Sequence, residues 1–205
     1  MIGAPGPGAM TGAARLVLGI ETSCDDTSVA VLEDARTLRA HLIAGQDLHR
    51  LYGGVVPELA ARAHLELLPR LVAAALAEAG VAAGDLTAVA VTRAPGLVGS
   101  LVVGVAFAKA YALALGIPVV GVNHIEGHLH ATALEHGEGP WPAVALVVSG
   151  GHTELVEVRG FGAYRWLGST RAWPVAAEPR CCTIAAWVMA PGLSARSASP
   201  SRVKL

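Results

Sequence analysis

Two histidines four residues apart are the sharpest chemical feature of the sequence, within the segment NHIEGH at 123–128. On a helix, residues at this spacing project from one face, so both imidazoles can reach a single metal ion. Neutral imidazole suits zinc or iron, and a carboxylate from elsewhere in the chain would complete the site. The alternative is a pair of surface histidines in a chain that has eight. The pattern therefore predicts either one divalent metal ion, Fe or Zn, on His124 and His128, or a solvated helix face.

The residues around this pair limit which metal chemistry fits. A zincin peptidase requires a glutamate directly after the first histidine as general base, and Ile125 stands there. Glu126 falls on a different face of the predicted helix from both histidines. His130 lies two residues beyond His128 and faces away, so we expect it to be structural or solvated. A metallopeptidase function loses its main support.

A glycine-rich turn follows a later predicted strand and contains Val147, Val148, Ser149, Gly150 and Gly151. The two glycines let the backbone close against a ligand, and the serine hydroxyl can reach acyl or phosphoryl oxygens. The same Ser-Gly-Gly sequence also occurs in tight hairpins that bind nothing. The turn is therefore a candidate binding loop or a plain hairpin turn.

Acids and hydroxyls also crowd the end of the first predicted strand, in the segment ETSCDDT at 21–27. They could position a metal-bound phosphate, or Asp25 and Asp26 could serve only as turn residues. Cys24 has no histidine or cation beside it in sequence, so we do not predict a nucleophile there. The other two of the three cysteines are adjacent, at 181 and 182. Three cysteines in this arrangement form no disulfide framework and favour a reducing, cytoplasmic setting.

Hydrophobic periodicity places these segments on an α/β scaffold. It predicts strands over 16–20, 27–32, 38–44, 86–92 and 119–122, a hairpin over 143–158, and helices over 57–79 and 100–115. Asn123 is well placed to cap a further helix that carries the histidine pair. The order predicts an α/β fold with a mixed sheet. It resembles one lobe of the actin, hexokinase and Hsp70 (ASKHA) superfamily, with a second lobe that begins near residue 143.

Two hairpins of the sequence repeat one pattern at an offset of 126 residues, without a gap. Ile20 falls on Leu146, Ser23 on Ser149 and Thr27 on Thr153. One interpretation is a pair of lobes whose hairpin turns line a shared cleft, with backbone N–H groups available for phosphate or carboxylate oxygens. The other is that any two short hairpins look alike.

Composition excludes several classes of protein. The chain of 205 residues is 53% hydrophobic but only 4% aromatic, so its core must be built from alanine, valine and leucine. Its net charge of -1 offers no basic field for nucleic acid, so any RNA contacts are local or come from a partner protein. Residues 1–14 lack the charged and apolar parts of a signal peptide and are expected to form a flexible leader. The longest uncharged stretch, 94–108, is too short to span a membrane, so we expect a soluble protein with no membrane partner.

Five segments together resemble one family: GIETSCDDTSVAVL, YGGVVPELAARAH, TRAPGLVGSLVVGVAFAKA, GVNHIEGHLHA and ALVVSGGHTELVEV. In order and spacing they are similar to the bacterial TsaD (also Gcp) and archaeal or eukaryotic Kae-one/OSGEP family, over about residues 15–171. That family was formerly labelled O-sialoglycoprotein endopeptidase. The resemblance implies transfer of a threonylcarbamoyl group from threonylcarbamoyl-AMP to N6 of the adenosine beside the anticodon, in tRNAs that read codons starting with A.

The resemblance also implies site residues and partners. His124 and His128 match the metal ligands of the family, with Fe or Zn as the ion, and Val147–Gly151 match its donor-binding loop. The ion would act as template and Lewis acid for the threonylcarbamoyl group. Expected partners are threonylcarbamoyl-AMP, tRNA and accessory subunits of the transfer complex. Two alternatives remain: a non-catalytic assembly subunit of the same superfamily, which generally lacks the histidine pair, and a sugar-kinase-like or carbamoyltransferase relative.

The resemblance ends abruptly after residue 171. The family continues with a run like DDAAGEAFDK, whereas residues 172–182 read AWPVAAEPRCC, and Arg180 stands where a donor-contacting aspartate is expected. The third metal ligand of the family, an aspartate near its C-terminus, has no counterpart. We interpret this as a frameshift or truncation near residue 172 and expect weak metal binding and little transfer by this chain. The predicted organisation is a leader (1–14), a first lobe (15–138), the start of a second lobe (139–171) and an irregular non-family tail (172–205).

Overall fold

The computed structural model describes residues 14–46, 54–136, 141–148 and 153–169, and every structural statement below concerns these ranges. Nearly all of the expected leader, the whole of the expected tail and the turn at 149–152 lie outside the described residues.

The described chain forms eight strands and three α-helices in the order that the sequence predicts. They are β1 (Leu16–Glu21), β2 (Thr27–Glu33), β3 (Thr37–Ala44), α1 (Pro57–Ala79), β4 (Leu86–Ala94), α2 (Val98–Leu115), β5 (Val119–Asn123), α3 (His124–His136), β6 (Ala143–Val148), β7 (Thr153–Gly160) and β8 (Ala163–Ser169). Strand β8 was not predicted. Six of its seven residues are exposed, so it shows no alternation of buried and exposed side chains that periodicity could detect.

The first sheet has the strand order β3-β2-β1-β4-β5. Strand β1 pairs antiparallel with β2 and parallel with β4, so the sheet is mixed, as predicted. Helices α1 and α2 supply part of one continuous core with these strands, in which the largest fully buried side chains are Leu18, Val29, Val31, Leu68, Val89 and Val91. This arrangement confirms the α/β fold with a mixed sheet.

The two hairpins share more than a sequence pattern. In the first, Ile20 pairs with Val29, and in the second Leu146 pairs with Leu155. Adding 126 to the residue numbers of the first pair gives those of the second pair. The registers of the two hairpins are therefore the same. Each hairpin is also followed by a third antiparallel strand, β3 and β8 respectively. The similarity of the two hairpins thus extends from the sequence pattern to the strand pairing.

Helix α2 bears on the expectation that no segment of the chain spans a membrane. Among the described residues it is the one helix, Val98–Leu115, that is long and apolar enough to cross a membrane by length and composition. Core helices of soluble proteins meet the same two criteria. Its small residues Gly104, Ala108 and Ala112 are buried, whereas Val98 and Val102 are exposed.

Gly104 brings α2 against the end of β1. A Cβ atom at this position would collide with the Oγ1 atom of Thr22, a fully buried side chain that donates a hydrogen bond to the Ser100 carbonyl at 2.9 Å. We expect Gly104→Ala to lower the free energy of unfolding by about 1–3 kcal/mol, because neither neighbour can move without breaking that bond. Urea unfolding measures this. Gly127→Ala is the matched control, since a Cβ there meets nothing within 4 Å and should be neutral or slightly stabilising.

Candidate metal centre

Helix α3 begins directly at the end of β5. The Asn123 side-chain oxygen accepts hydrogen bonds from the backbone N–H groups of Ile125 (2.8 Å) and Glu126 (3.3 Å), which confirms the predicted cap. Because β5 and β4 are parallel and β4 is parallel to β1, their carboxyl ends lie at one edge of the sheet. The cap therefore places His124 beside the residues that end β1 and β4.

The structure brings the two predicted metal ligands together. The Nε2 atoms of His124 and His128 lie 3.0 Å apart, and the rings meet edge to face. Two imidazole nitrogens bound to one tetrahedral zinc ion at 2.0–2.1 Å lie about 3.3 Å apart. The pair therefore fits two positions of a single ion, and without an ion one Nε2 atom donates a hydrogen bond to the other.

The other nitrogen of His124 is held from the first strand. Its Nδ1 atom lies 3.1 Å from the Glu21 carboxylate oxygen Oε2 and 3.1 Å from the Ser23 hydroxyl. An ionised carboxylate only accepts hydrogen bonds, so Nδ1 carries the proton. In neutral His124 the lone pair then lies on Nε2 and points toward His128.

Glu21 is kept ionised by its surroundings. Burial acts to raise the pKa of this carboxyl, but the hydrogen bond and charge of His124, joined by hydrogen bonds from Ser23 and Thr92, lower the pKa from 4.5 to about 2. The backbone N–H of Ser23 donates to one carboxylate oxygen and the Thr92 hydroxyl to the other. The carboxylate therefore has its negative charge throughout the neutral pH range.

A buried histidine, which the sequence analysis did not single out, holds the loop between β1 and β2. His64 of α1 is fully buried; its Nε2–H donates to the Cys24 carbonyl at 2.9 Å, and the Thr27 hydroxyl donates to its Nδ1 atom at 2.7 Å. On the other side of the loop, the backbone N–H of Leu97 donates to the Ser23 carbonyl at 2.7 Å. Contacts from His64 and Leu97 thus fix the acidic loop, which lies beside the metal centre.

The predicted donor-binding loop is only partly within the described residues. Val147 is buried, 3% exposed, in a cluster with Ile125, Leu129, Val156 and Val158. Any contact from Val147 to a ligand must therefore come from its backbone. Val148 is half-buried at the end of β6, and Ser149, Gly150 and Gly151 lie outside the described residues.

His130 contacts the second sheet. Its Nε2 atom is 2.6 Å from the Tyr164 hydroxyl, and its ring stacks on Phe161 with a centroid distance of 4.4 Å. These contacts confirm the structural role expected for it and separate it from the metal pair.

The acidic loop supplies no further ligand. Asp25 is 8% exposed, and its Oδ1 atom has no hydrogen-bond partner among the described residues. Within the same ranges, no group of three histidines, cysteines or acids is placed to hold a metal ion. The centre as described thus offers two imidazole ligands.

A cavity of about 240 Å³ opens beside the histidine pair. It is bounded by both histidines, by Glu21 and Thr92, and by small or apolar residues of the strands, among them Gly19, Ala30, Ala90 and Val122. The small side chains leave this space open beside the histidine pair.

The fold and the site together describe an α/β protein with a histidine pair at the carboxyl edge of its mixed sheet. The profile of TsaD, tRNA N6-adenosine threonylcarbamoyltransferase, matches residues 37–201, and the chain belongs to this family. The transferase of Gemmatimonas aurantiaca is 58% identical over 158 residues, which are 76% of this chain and 44% of that protein. The transferase of Pelobacter propionicus is 56% identical over 156 residues, 76% of this chain and 46% of that protein.

The chain thus spans less than half the length of these curated relatives. Among solved structures, YeaZ from Pseudomonas aeruginosa superposes with a TM-score of 0.52 at 25% identity, over 81% of this chain and 71% of YeaZ. The profile match extends beyond residue 172, so the non-family character of the tail stays a prediction.

Proposed function

We propose that the protein containing this lobe transfers the threonylcarbamoyl group from threonylcarbamoyl-AMP to N6 of the adenosine beside the anticodon, in tRNAs that read codons starting with A. Family membership supports the reaction class. The single observation that carries the proposal is the histidine pair, whose Nε2 atoms converge to 3.0 Å beside a cavity of about 240 Å³.

We propose one divalent ion, Fe or Zn, on His124 and His128. When bound, such an ion supplies a Lewis acid and a template for the threonylcarbamoyl group. The protein's own part is to hold the lone pairs of both Nε2 atoms toward one point and to leave the neighbouring cavity open. Glu21 keeps the Nδ1 proton of His124 in place.

Val147, Val148, Ser149, Gly150 and Gly151 are proposed as the donor-binding loop. Support comes from sequence position: residues 149–152 follow β6 as residues 22–26 follow β1. The 22–26 turn lies at the metal centre, because Ser23 contacts His124. By the same symmetry the second turn would present backbone N–H groups to the acyl or phosphoryl oxygens of the donor.

Accessory subunits are proposed as protein partners, and the cytoplasm as the location. Val98, Val102 and Leu113 of α2 and Leu65 of α1 are exposed to between 61% and 83%, and apolar surface of this kind is typical of protein contacts. The net charge of -1 leaves tRNA binding to local contacts or to these partners. No membrane partner is proposed, since α2 also contributes small side chains to the core.

We expect the 205-residue chain to transfer little or no threonylcarbamoyl group, even when its partners are supplied. Two imidazoles hold a metal ion more weakly than three protein ligands, and a weakly held ion is a poor template. The assay measures incorporation of labelled threonylcarbamoyl into unmodified tRNA, with accessory subunits and threonylcarbamoyl-AMP supplied. The Gemmatimonas aurantiaca transferase is the positive control, and turnover by this chain close to that control would contradict the expectation.

A further inference from the structure

Glu21 holds His124 from the side that faces away from His128. We propose that Glu21 is the positioning residue of the metal centre: its carboxylate fixes the His124 ring so that Nε2 is presented to the ion, without binding the ion itself. This inference rests on the proposed metal site and deepens it, because it assigns a role to a residue outside the ligand pair.

The geometry of the ring separates positioning from direct binding. The Glu21 oxygen lies 3.1 Å from Nδ1 of His124, whereas Nε2 of the same ring lies 3.0 Å from Nε2 of His128. The two nitrogens of an imidazole point in different directions, so an ion between the Nε2 atoms lies beyond the reach of the carboxylate. A carboxylate on the far nitrogen is the arrangement that orients histidine ligands in metal proteins and raises their basicity.

Glu21 is itself held in place, as a positioning residue must be. It ends β1, which is paired in parallel with β4, and its two carboxylate oxygens accept hydrogen bonds from the Ser23 N–H and the Thr92 hydroxyl. The next residue, Thr22, is fully buried and anchored to Ser100 of α2. The sheet and α2 therefore fix the carboxylate, and the carboxylate fixes the ring.

The test measures the zinc affinity of the chain by competition with a chromophoric chelator. Glu21→Gln keeps the shape of the side chain but removes its charge, and we expect the affinity to fall by about 10- to 100-fold. Glu33→Gln is the matched control, because Glu33 pairs with Arg39 (2.8 Å) at the other end of the neighbouring strand and should leave the affinity unchanged. An affinity of Glu21→Gln within about twofold of the wild type would overturn the proposal.

A second measurement determines which ring nitrogen of His124 carries the proton. In the metal-free chain, long-range proton–nitrogen NMR should show His124 with its proton on Nδ1, and Glu21→Gln should shift the population toward the Nε2 tautomer. A merely structural glutamate would not change this signature. If the glutamine variant fails to fold, Glu21→Asp decides: a several-fold loss of zinc affinity supports the proposal, and an unchanged affinity overturns it.

His124→Ala separates failure of this inference from failure of the metal site. If that variant binds zinc as well as the wild type, the proposed site itself is wrong. If His124→Ala loses zinc while Glu21→Gln retains it, the metal site stands and the positioning role is wrong.

Discussion

Replacing His124 by alanine should abolish transfer in a protein that has a complete second half. Such a protein can be built by joining residues 15–171 of this chain to the remaining part of the Gemmatimonas aurantiaca transferase, which is 58% identical over the shared region. We expect the chimera to modify tRNA and its His124→Ala variant to lose activity by at least about 100-fold, because one of the two imidazoles that converge on the ion is gone. The assay is threonylcarbamoyl incorporation into unmodified tRNA.

His130→Ala in the same chimera is the matched control. It removes a histidine from the same helix, but one that contacts Tyr164 and Phe161 instead of the metal pair. Its transfer rate should stay within a few-fold of the parent chimera once folding is checked. Equal activity of the His124→Ala variant and the parent would contradict the role given to the pair.

The second large effect concerns His64 and is an effect on stability. His64→Gln removes a fully buried ring that bridges the Cys24 carbonyl and the Thr27 hydroxyl. We expect the free energy of unfolding at neutral pH to fall by about 2–4 kcal/mol, since buried polar groups lose partners and a cavity opens. Urea unfolding measures it, and His41→Gln, on a half-buried histidine of β3, should cost less than about 1 kcal/mol.

The difference in unfolding free energy between the wild type and His64→Gln should depend on pH. Burial lowers the pKa of His64 below its ordinary value of 6.5, and the Cys24 carbonyl opposes the shift only in part. As pH falls through 6.5, the unfolded chain takes up a proton that the folded chain does not, so the wild type loses stability. The stability difference between the wild type and His64→Gln should therefore be largest at pH 7–8 and shrink below about pH 6.5. A difference that does not change with pH would show that His64 is not buried in its neutral form.

Much of the scaffold could be predicted because its signals are local. A short apolar run predicted β1, a β-branched run predicted β2, and hydrophobic periodicity predicted α1, whose C-cap Gly80 has the left-handed φ of 68°. The repeat of 126 residues was one of two interpretations of the sequence, and the structure shows that the two hairpins have the same register. Strand β8 was not predicted, because nearly all of its side chains are exposed, on both faces of the strand.

The site could be predicted only in part, for a physical reason. The histidine pair is local, four residues apart on one helix, and the spacing alone predicted its convergence. Glu21 and His64 act across 103 and 40 residues of sequence, on His124 and Cys24 respectively. Such contacts depend on which strands and helices become neighbours, and no local pattern encodes them. For Val147 the local motif was misleading. The motif matched this residue to a binding loop, but its side chain lies in the core.

A cobalt titration of the purified chain tests directly whether His124 and His128 hold a metal ion, because cobalt replaces zinc or iron at nitrogen ligands and reports its coordination by colour. We expect one equivalent of Co²⁺ bound by the wild type, with the visible bands of imidazole coordination, and loss of those bands in both His124→Ala and His128→Ala. Unchanged bands and stoichiometry in these two variants would contradict the proposed site, since the ion would then bind elsewhere.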